Sequence, residues 1–198
     1  MKEVHIYDTH PSVIESISLI LRDTSFNPIF HCEDSLIDAQ ALGGDTLCRI
    51  IPFIAMNQLN EMLDYYSSKK AELIVLFSKT KDIPAIVYAI KHGAFDFLEF
   101  PFDPIEVLST LSAAEIQKQI NISEEIERSS IASKLTRLTL RENVILENIL
   151  IGKRNKIIAY DLEISQRTVE NHRSNIMKKL DAKSIADLIN IINKISAK

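Results

Sequence analysis

Short apolar runs alternate with amphipathic stretches over the first hundred residues. Val4–Tyr7 is an apolar-leaning run that stops at Asp8. Val13, Ile14, Ile17, Ile20 and Leu21 then recur at three- and four-residue steps, one face of a helix, and Pro11 suits its first turn. Pro28–Cys32 predicts the next strand, residues 34–42 a short helix ending at Gly43-Gly44, and Cys48–Ala55 a third strand that Pro52 shortens. Residues 59–66 read as helix, Ala71–Phe77 as a fully buried strand, Ile83–Gly93 as a helix closed by its glycine, and Phe95–Phe100 as a fifth strand stopped by Pro101. Strands that alternate with helices of this length predict an α/β domain: a doubly wound, five-stranded parallel sheet covered on both faces.

From Pro104 the pattern turns wholly helical. Ile105, Leu108, Leu111 and Ile116 are expected to cover the sheet. Residues 118–137 are more polar and read as a partly helical linker, with a loose seam of Ile122, Ile126, Ile131, Leu135 and Leu138. Residues 138–198 carry no strand signal and predict four helices. Thr139 with Glu142 makes a capping box, with Val144, Ile145, Ile149 and Leu150 facing inward and Gly152 at the end. Asn155–Leu162 is a short second helix, Ser165 caps a third that runs to about Leu180, and Ser184 caps a fourth. The expected division is therefore 1–117, 118–137 and 138–198.

Charge sharpens this division. Residues 1–104 hold 8 basic and 15 acidic groups, net −7; residues 139–198 hold 11 and 7, net +4. A basic module attached to an acidic domain hints at nucleic acid. Hydrophobic residues make up 46% of the chain, enough for packed cores. No apolar run is long enough to span a membrane and the first residues lack a signal-peptide core, so a cytoplasmic protein is expected. Cys32 and Cys48 have no metal-ligand spacing and read as reduced thiols; the five histidines are scattered, and no glycine-rich phosphate loop or nucleophile elbow occurs. No cofactor, no metal and no enzymatic activity are expected.

A short helix, a break at Glu163–Ser165 and a longer helix form a helix-turn-helix pattern. Val169, Ile176 and Leu180 would face the core. The opposite face would present Gln166, Arg167, Glu170, Asn171 and Ser174, groups able to hydrogen-bond base edges. Lys156, Arg173, Lys178 and Lys179 can reach phosphates, and Thr168 and His172 add backbone contacts.

The segment from Leu138 through "IAYDLEISQRTVENHRSNIMKKLDAKSIADLI" resembles the LuxR/NarL-type DNA-binding domain, in the FixJ branch of two-domain response regulators. The resemblance implies transcription regulation, a homodimer on inverted half-sites of promoter DNA, and a fourth helix that contributes to the dimer through Ile185, Leu188, Ile189 and Ile192, shared with the core. The first hundred residues are similar in order and length to that branch's receiver (flavodoxin-like) domain, best at "HGAFDFLEFPF" and "VHIYD". Receiver chemistry implies an acceptor aspartate after the third strand, two acidic residues after the first, a hydroxyl after the fourth and a lysine before the final proline. Here Asp8 stands beside Thr9, Ser78 keeps the hydroxyl, Phe100 replaces the lysine, and no Asp or Glu lies between Asp45 and Glu61. The expectation is a degenerate receiver that acts without aspartyl phosphorylation. It would dimerise or meet a protein partner near Tyr88, Lys91, His92, Phe95 and Phe102. The alternative is an interaction protein that pairs with a related regulator or sequesters a histidine kinase.

Overall fold

A computed structural model describes residues 1–32, 46–53, 73–80 and 82–196. The helices expected over 34–42 and 59–66, and the ends of two strands at 54–55 and 71–72, lie outside these. Among the described residues, β1 (Lys2–Ile6), α1 (Pro11–Leu21), β2 (Phe26–Phe30), β3 (Thr46–Pro52), β4 (Leu73–Ser78), α2 (Ile83–Lys91), β5 (Asp96–Glu99) and α3 (Pro104–Leu135) come first. Then follow α4 (Leu140–Leu150), α5 (Asn155–Asp161), α6 (Gln166–Lys179) and α7 (Ile185–Ser196). The chain divides into two compact units, Met1–Ile122 and Ser123–Lys198, and the division falls inside α3.

The first unit is a five-stranded sheet, order β2-β1-β3-β4-β5, with every pair parallel. Alternation along the strands builds two cores. Val4, Ile6, Cys48, Ile50, Val75 and Phe77 point to one face and pack with Val13, Ile17 and Leu21 of α1 and with Val107, Leu111 and Ala114 of α3. Tyr7, Ile51, Ile74 and Leu76 point to the other, against Ala89 of α2 and Ala94. The strand bounds move by a residue or two from those expected. In α3 the inward stripe is Val107, Leu111 and Ala114, whereas Ile105 and Ile116 are 78% and 64% exposed. α1 begins at Pro11, as its fixed φ favours, with His10 accepting at the cap from the Ser12 amide. Gly93, at φ 109, turns the chain from α2 towards β5.

A polar seam crosses the second face. His5, buried to 4% exposure, meets His31 through Nδ1 and Nε2 at 2.8 Å. His31 stacks on Tyr7, whose hydroxyl accepts from the fully buried Arg49. Burial holds both imidazoles below their ordinary value, and the Arg49 charge pushes the same way. His31 lies just past the end of the edge strand β2, and this contact joins it to a residue 26 positions distant. Cys32 is exposed and Cys48 is buried, so the two thiols differ sharply.

α3 runs to Leu135, over most of the 118–137 segment expected as a partly helical linker. Beyond it, the second unit closes on Leu138, Ile145, Leu146, Ile149, Ile158, Val169, Ile176, Leu180 and Leu188. Leu146 is buried where Val144 and Leu150 were expected; those two are 37% and 36% exposed. The Thr139–Glu142 capping box forms in both directions. Gly152, at φ +84, ends α4, and the Ser184 hydroxyl accepts the Asp187 amide to open α7.

Candidate nucleic-acid interface

α6 is built to show one polar face. Ser165 caps it by accepting the Thr168 amide at 3.0 Å. The preceding turn passes through Glu163 at φ 53, and the Ile164 amide bonds the Ala159 carbonyl, which closes α5. Val169 and Ile176, seven residues apart, are fully buried. That fixes the rotation of the helix, since positions opposite a buried stripe must face solvent. Gln166, Arg167, Glu170, Asn171, Ser174 and Lys178 are all exposed. Gln166 Nε2 donates to Glu170 Oε1 at 3.2 Å, which orients the carboxylate along the face.

The other predicted contacts divide. Thr168 is half-buried, its hydroxyl 2.8 Å from that of Ser165, and so serves the cap first. His172 is half-buried. Arg173 donates to Asn155 Oδ1 at 2.7 Å, tying α6 to the start of α5. Lys156 is exposed on α5, next to the equally exposed Arg154. Lys179 departs from expectation. Its ammonium lies 2.7 Å from Glu142 Oε2 and 3.0 Å from the Arg137 carbonyl, so it points back into the unit. Asn175 is exposed on the same face and was overlooked; its place four residues after Asn171 is the signal that finds it.

Glu142 anchors this corner. It is 3% exposed, and one carboxylate oxygen receives the Thr139 amide, the Thr139 hydroxyl and Lys179. Burial alone would raise its pKa. The bonds from Lys179 and Thr139 outweigh burial and hold it below the ordinary carboxylate value.

Of the residues expected at a dimer face, Leu188 is fully buried in its own unit, and Ile185 and Ile192 pack on the same core. Apolar side chains on α7 are drawn inward because that core is small. Ile189 is half-buried. On α2, Tyr88 packs into the sheet core and Phe95 and Phe102 join the opposite core. Lys91 and His92 are exposed. The apolar stripe that α2 leaves open is Ile83, Val87 and Ile90, at 62%, 46% and 43% exposure.

In parallel sheets ligands gather at the carboxyl ends of the strands, next to the point where strand order reverses. Among the described residues, that edge is formed by the ends of β1, β3, β4 and β5. Asp8, 8% exposed, accepts the His10 amide at 2.6 Å. Thr9 is exposed. β3 ends at Pro52, with the half-buried Phe53 next in the chain. The Ser78 hydroxyl accepts the Thr80 amide at 3.1 Å. Phe100 packs edge-on against Phe102, with the Lys79 ammonium 5.7 Å from its ring centre. Among the described residues, no group of three or more histidine, cysteine or acidic side chains is placed to hold a metal, and no helix is long and apolar enough to cross a membrane.

A doubly wound parallel sheet followed by a helix-turn-helix unit defines a two-domain DNA-binding regulator. Residues 136–192 match the model of the bacterial regulatory proteins of the luxR family. The chain is 31% identical to the transcriptional regulatory protein FixJ of Azorhizobium caulinodans over 189 residues, spanning 94% of this chain and 89% of that protein. It is 30% identical to the response regulator protein TodT of Pseudomonas putida over 196 residues, 97% of this chain and 86% of that one. Among solved structures, the response regulator StyR matches with a TM-score of 0.67 at 29% identity over 98% of both chains. Full-length FixJ from B. japonicum, at 24% identity and a TM-score of 0.53, shares the fold. The chain belongs to the FixJ-type response regulators that carry a luxR-family DNA-binding domain.

Proposed function

We propose that this regulator binds promoter DNA in the cytoplasm as a homodimer on inverted half-sites, and that it does so without aspartyl phosphorylation. A single observation carries the second part. No Asp or Glu lies between Asp45 and Glu61, and β3 ends at Pro52, with Phe53 next in the chain. Phosphoryl transfer to a receiver needs an acceptor carboxylate, a hard cation held by several oxygens, and a counter-charge. Asp8 alone is a poor cation site, and Phe100 is built into the aromatic packing where a lysine would be needed.

In this reading residues 1–117 form a degenerate receiver, 118–137 a connecting helix, and 138–198 the DNA-binding domain. Gln166, Arg167, Glu170, Asn171 and Ser174 read base edges. Lys156, Arg173 and Lys178 hold phosphates, and Thr168 and His172 flank them. The receiver-like domain contributes contact, and the exposed stripe Ile83, Val87 and Ile90, with Lys91 and His92 beside it, supports a second copy as the partner.

The test has two arms. Protein incubated with acetyl phosphate or beryllofluoride and Mg²⁺ is expected to show no gain of mass and no shift in melting. Saturable modification at low-millimolar reagent overturns phosphorylation independence. Unmodified protein is expected to sediment as a dimer at micromolar concentration and to bind a selected duplex with a steep loss of affinity as salt rises.

A further inference from the structure

The sequence places Lys179 beside Lys178 as a second phosphate contact, and the structure gives the two lysines opposite surroundings. Lys178 is exposed. The Lys179 side chain is 33% exposed and its ammonium is 2.7 Å from the buried Glu142 carboxylate, 37 residues away in sequence. Its second acceptor is the Arg137 carbonyl at 3.0 Å, in the turn between α3 and α4. One residue past the α6 cap, Asp181 takes an ion pair from Lys134 of α3 at 3.0 Å. The C-terminal end of the reading helix is thus held from the end of α3 and the start of α4.

We propose that Lys179 is a positioning residue. It sets the angle of α6 in the groove through Glu142 and the Arg137 carbonyl, and it makes no contact with DNA. For Lys179 to reach a phosphate it would have to abandon Glu142. A buried carboxylate that loses its partner is strongly unfavourable, more than one additional exposed phosphate contact returns. Lysine suits the post because its long flexible stem brings a compact charge with rotatable donors to both acceptors. The clamp takes in Lys134 and Arg137, so the holding of the helix extends to residues on its N-terminal side that do not touch DNA. This inference rests on the reading that α6 faces the groove.

The experiment measures full-length protein against two duplexes across a salt series. One is selected by the wild-type protein from a randomised library; the other is a scramble of the same length. Lys178→Ala should lower the salt slope by about 0.9, the value of one lost phosphate contact. Lys179→Met should leave the slope unchanged and reduce the ratio of selected to scrambled binding about tenfold, the scale of one mis-set base contact. Lys179→Gln, a neutral donor able to serve the same two acceptors, should recover part of that ratio, again at unchanged slope. Should Lys179→Met fail to fold by circular dichroism, the Glu142→Gln/Lys179→Met pair removes both charges together and carries the same comparison. A slope reduced by about 0.9 in a Lys179 variant, or an unchanged ratio in Lys179→Met or in that pair, overturns the proposal. If Arg167→Ala and Asn171→Ala leave the ratio intact, it is the placement of α6 in the groove that fails.

Discussion

The carboxyl edge of the sheet and the outer face of α6 are both rich in polar residue types, yet they end up in different states. At the sheet edge Asp8 and Ser78 each accept an amide two residues along the chain, and Phe100 packs edge-on against Phe102. On α6 a fully buried Val169 and Ile176 anchor one side, and the polar side chains opposite stand open, with Glu170 held by Gln166 and Arg173 by Asn155. The contrast teaches that a polar residue advertises a site only when something apolar behind it fixes its direction and nothing local satisfies it first. By that measure the outer face of α6 is the better candidate site, which is the basis of the proposed function.

The most forceful way to break the contrast is to remove the anchor. Ile176→Ala, at a fully buried position of α6, should cost about 2–5 kcal/mol. Thermal unfolding should show the second unit melting early while the sheet unit melts as before; a single, unmoved transition would refute the separate cores. Next comes Asn171→Ala, expected to lose about 1–3 kcal/mol on a selected duplex and to relax preference at one base position. Binding that is unchanged in both affinity and preference would remove Asn171 from the reading face.

Acid sharpens the contrast from the other side. His5 and His31 are held below the ordinary imidazole value by burial, with Arg49 adding to it, while the hydrogen bond and charge of Glu3 oppose the shift on His5. The unfolded chain therefore binds more protons than the folded one just below pH 6.5. Stability of the sheet unit should be fully present above that value and decline as pH falls through it, and denaturant midpoints from pH 7.5 to 5.5 measure this. Glu142 is also held below its ordinary value, but by bonds that favour its charged form, so its contribution to the second unit should persist to lower pH and fade only as the solution passes through and below the carboxylate range. A sheet unit no less stable at pH 5.5 than at 7.5 would contradict the burial of the imidazole pair. The smallest effect belongs to the exposed Lys178, whose change to alanine should weaken all duplexes alike.

Much of this was legible in the residues. The short apolar runs at Val4–Tyr7 and before Ser78 mark the sheet because a strand buried on both faces has little room for charge. The Thr139–Glu142 box, the Ser165 cap and the spacing of Val169, Ile176 and Leu180 place the helices of the second unit, since caps and periodicity are local. What stayed hidden is long-range. Nothing near Lys179 announces Glu142, and nothing near His5 announces His31. The inward stripe of α3 was misread because Val107 and Ala114 are smaller than Ile105 and Ile116, and size is a poor guide when the sheet comes close. Phe95 and Phe102 read from sequence equally as interface aromatics or as core, and they pack into the sheet core, while Tyr88 is half-buried against the other face.

The two sulfurs have a practical consequence. Burial pushes the Cys48 thiol up to about 12, whereas Cys32 sits exposed just past the end of β2. Alkylation needs both access and thiolate, so a maleimide dye at neutral pH should attach at Cys32 and leave Cys48 untouched. The natural chain thus offers a chemical handle on the sheet unit, and engineering one in is unnecessary.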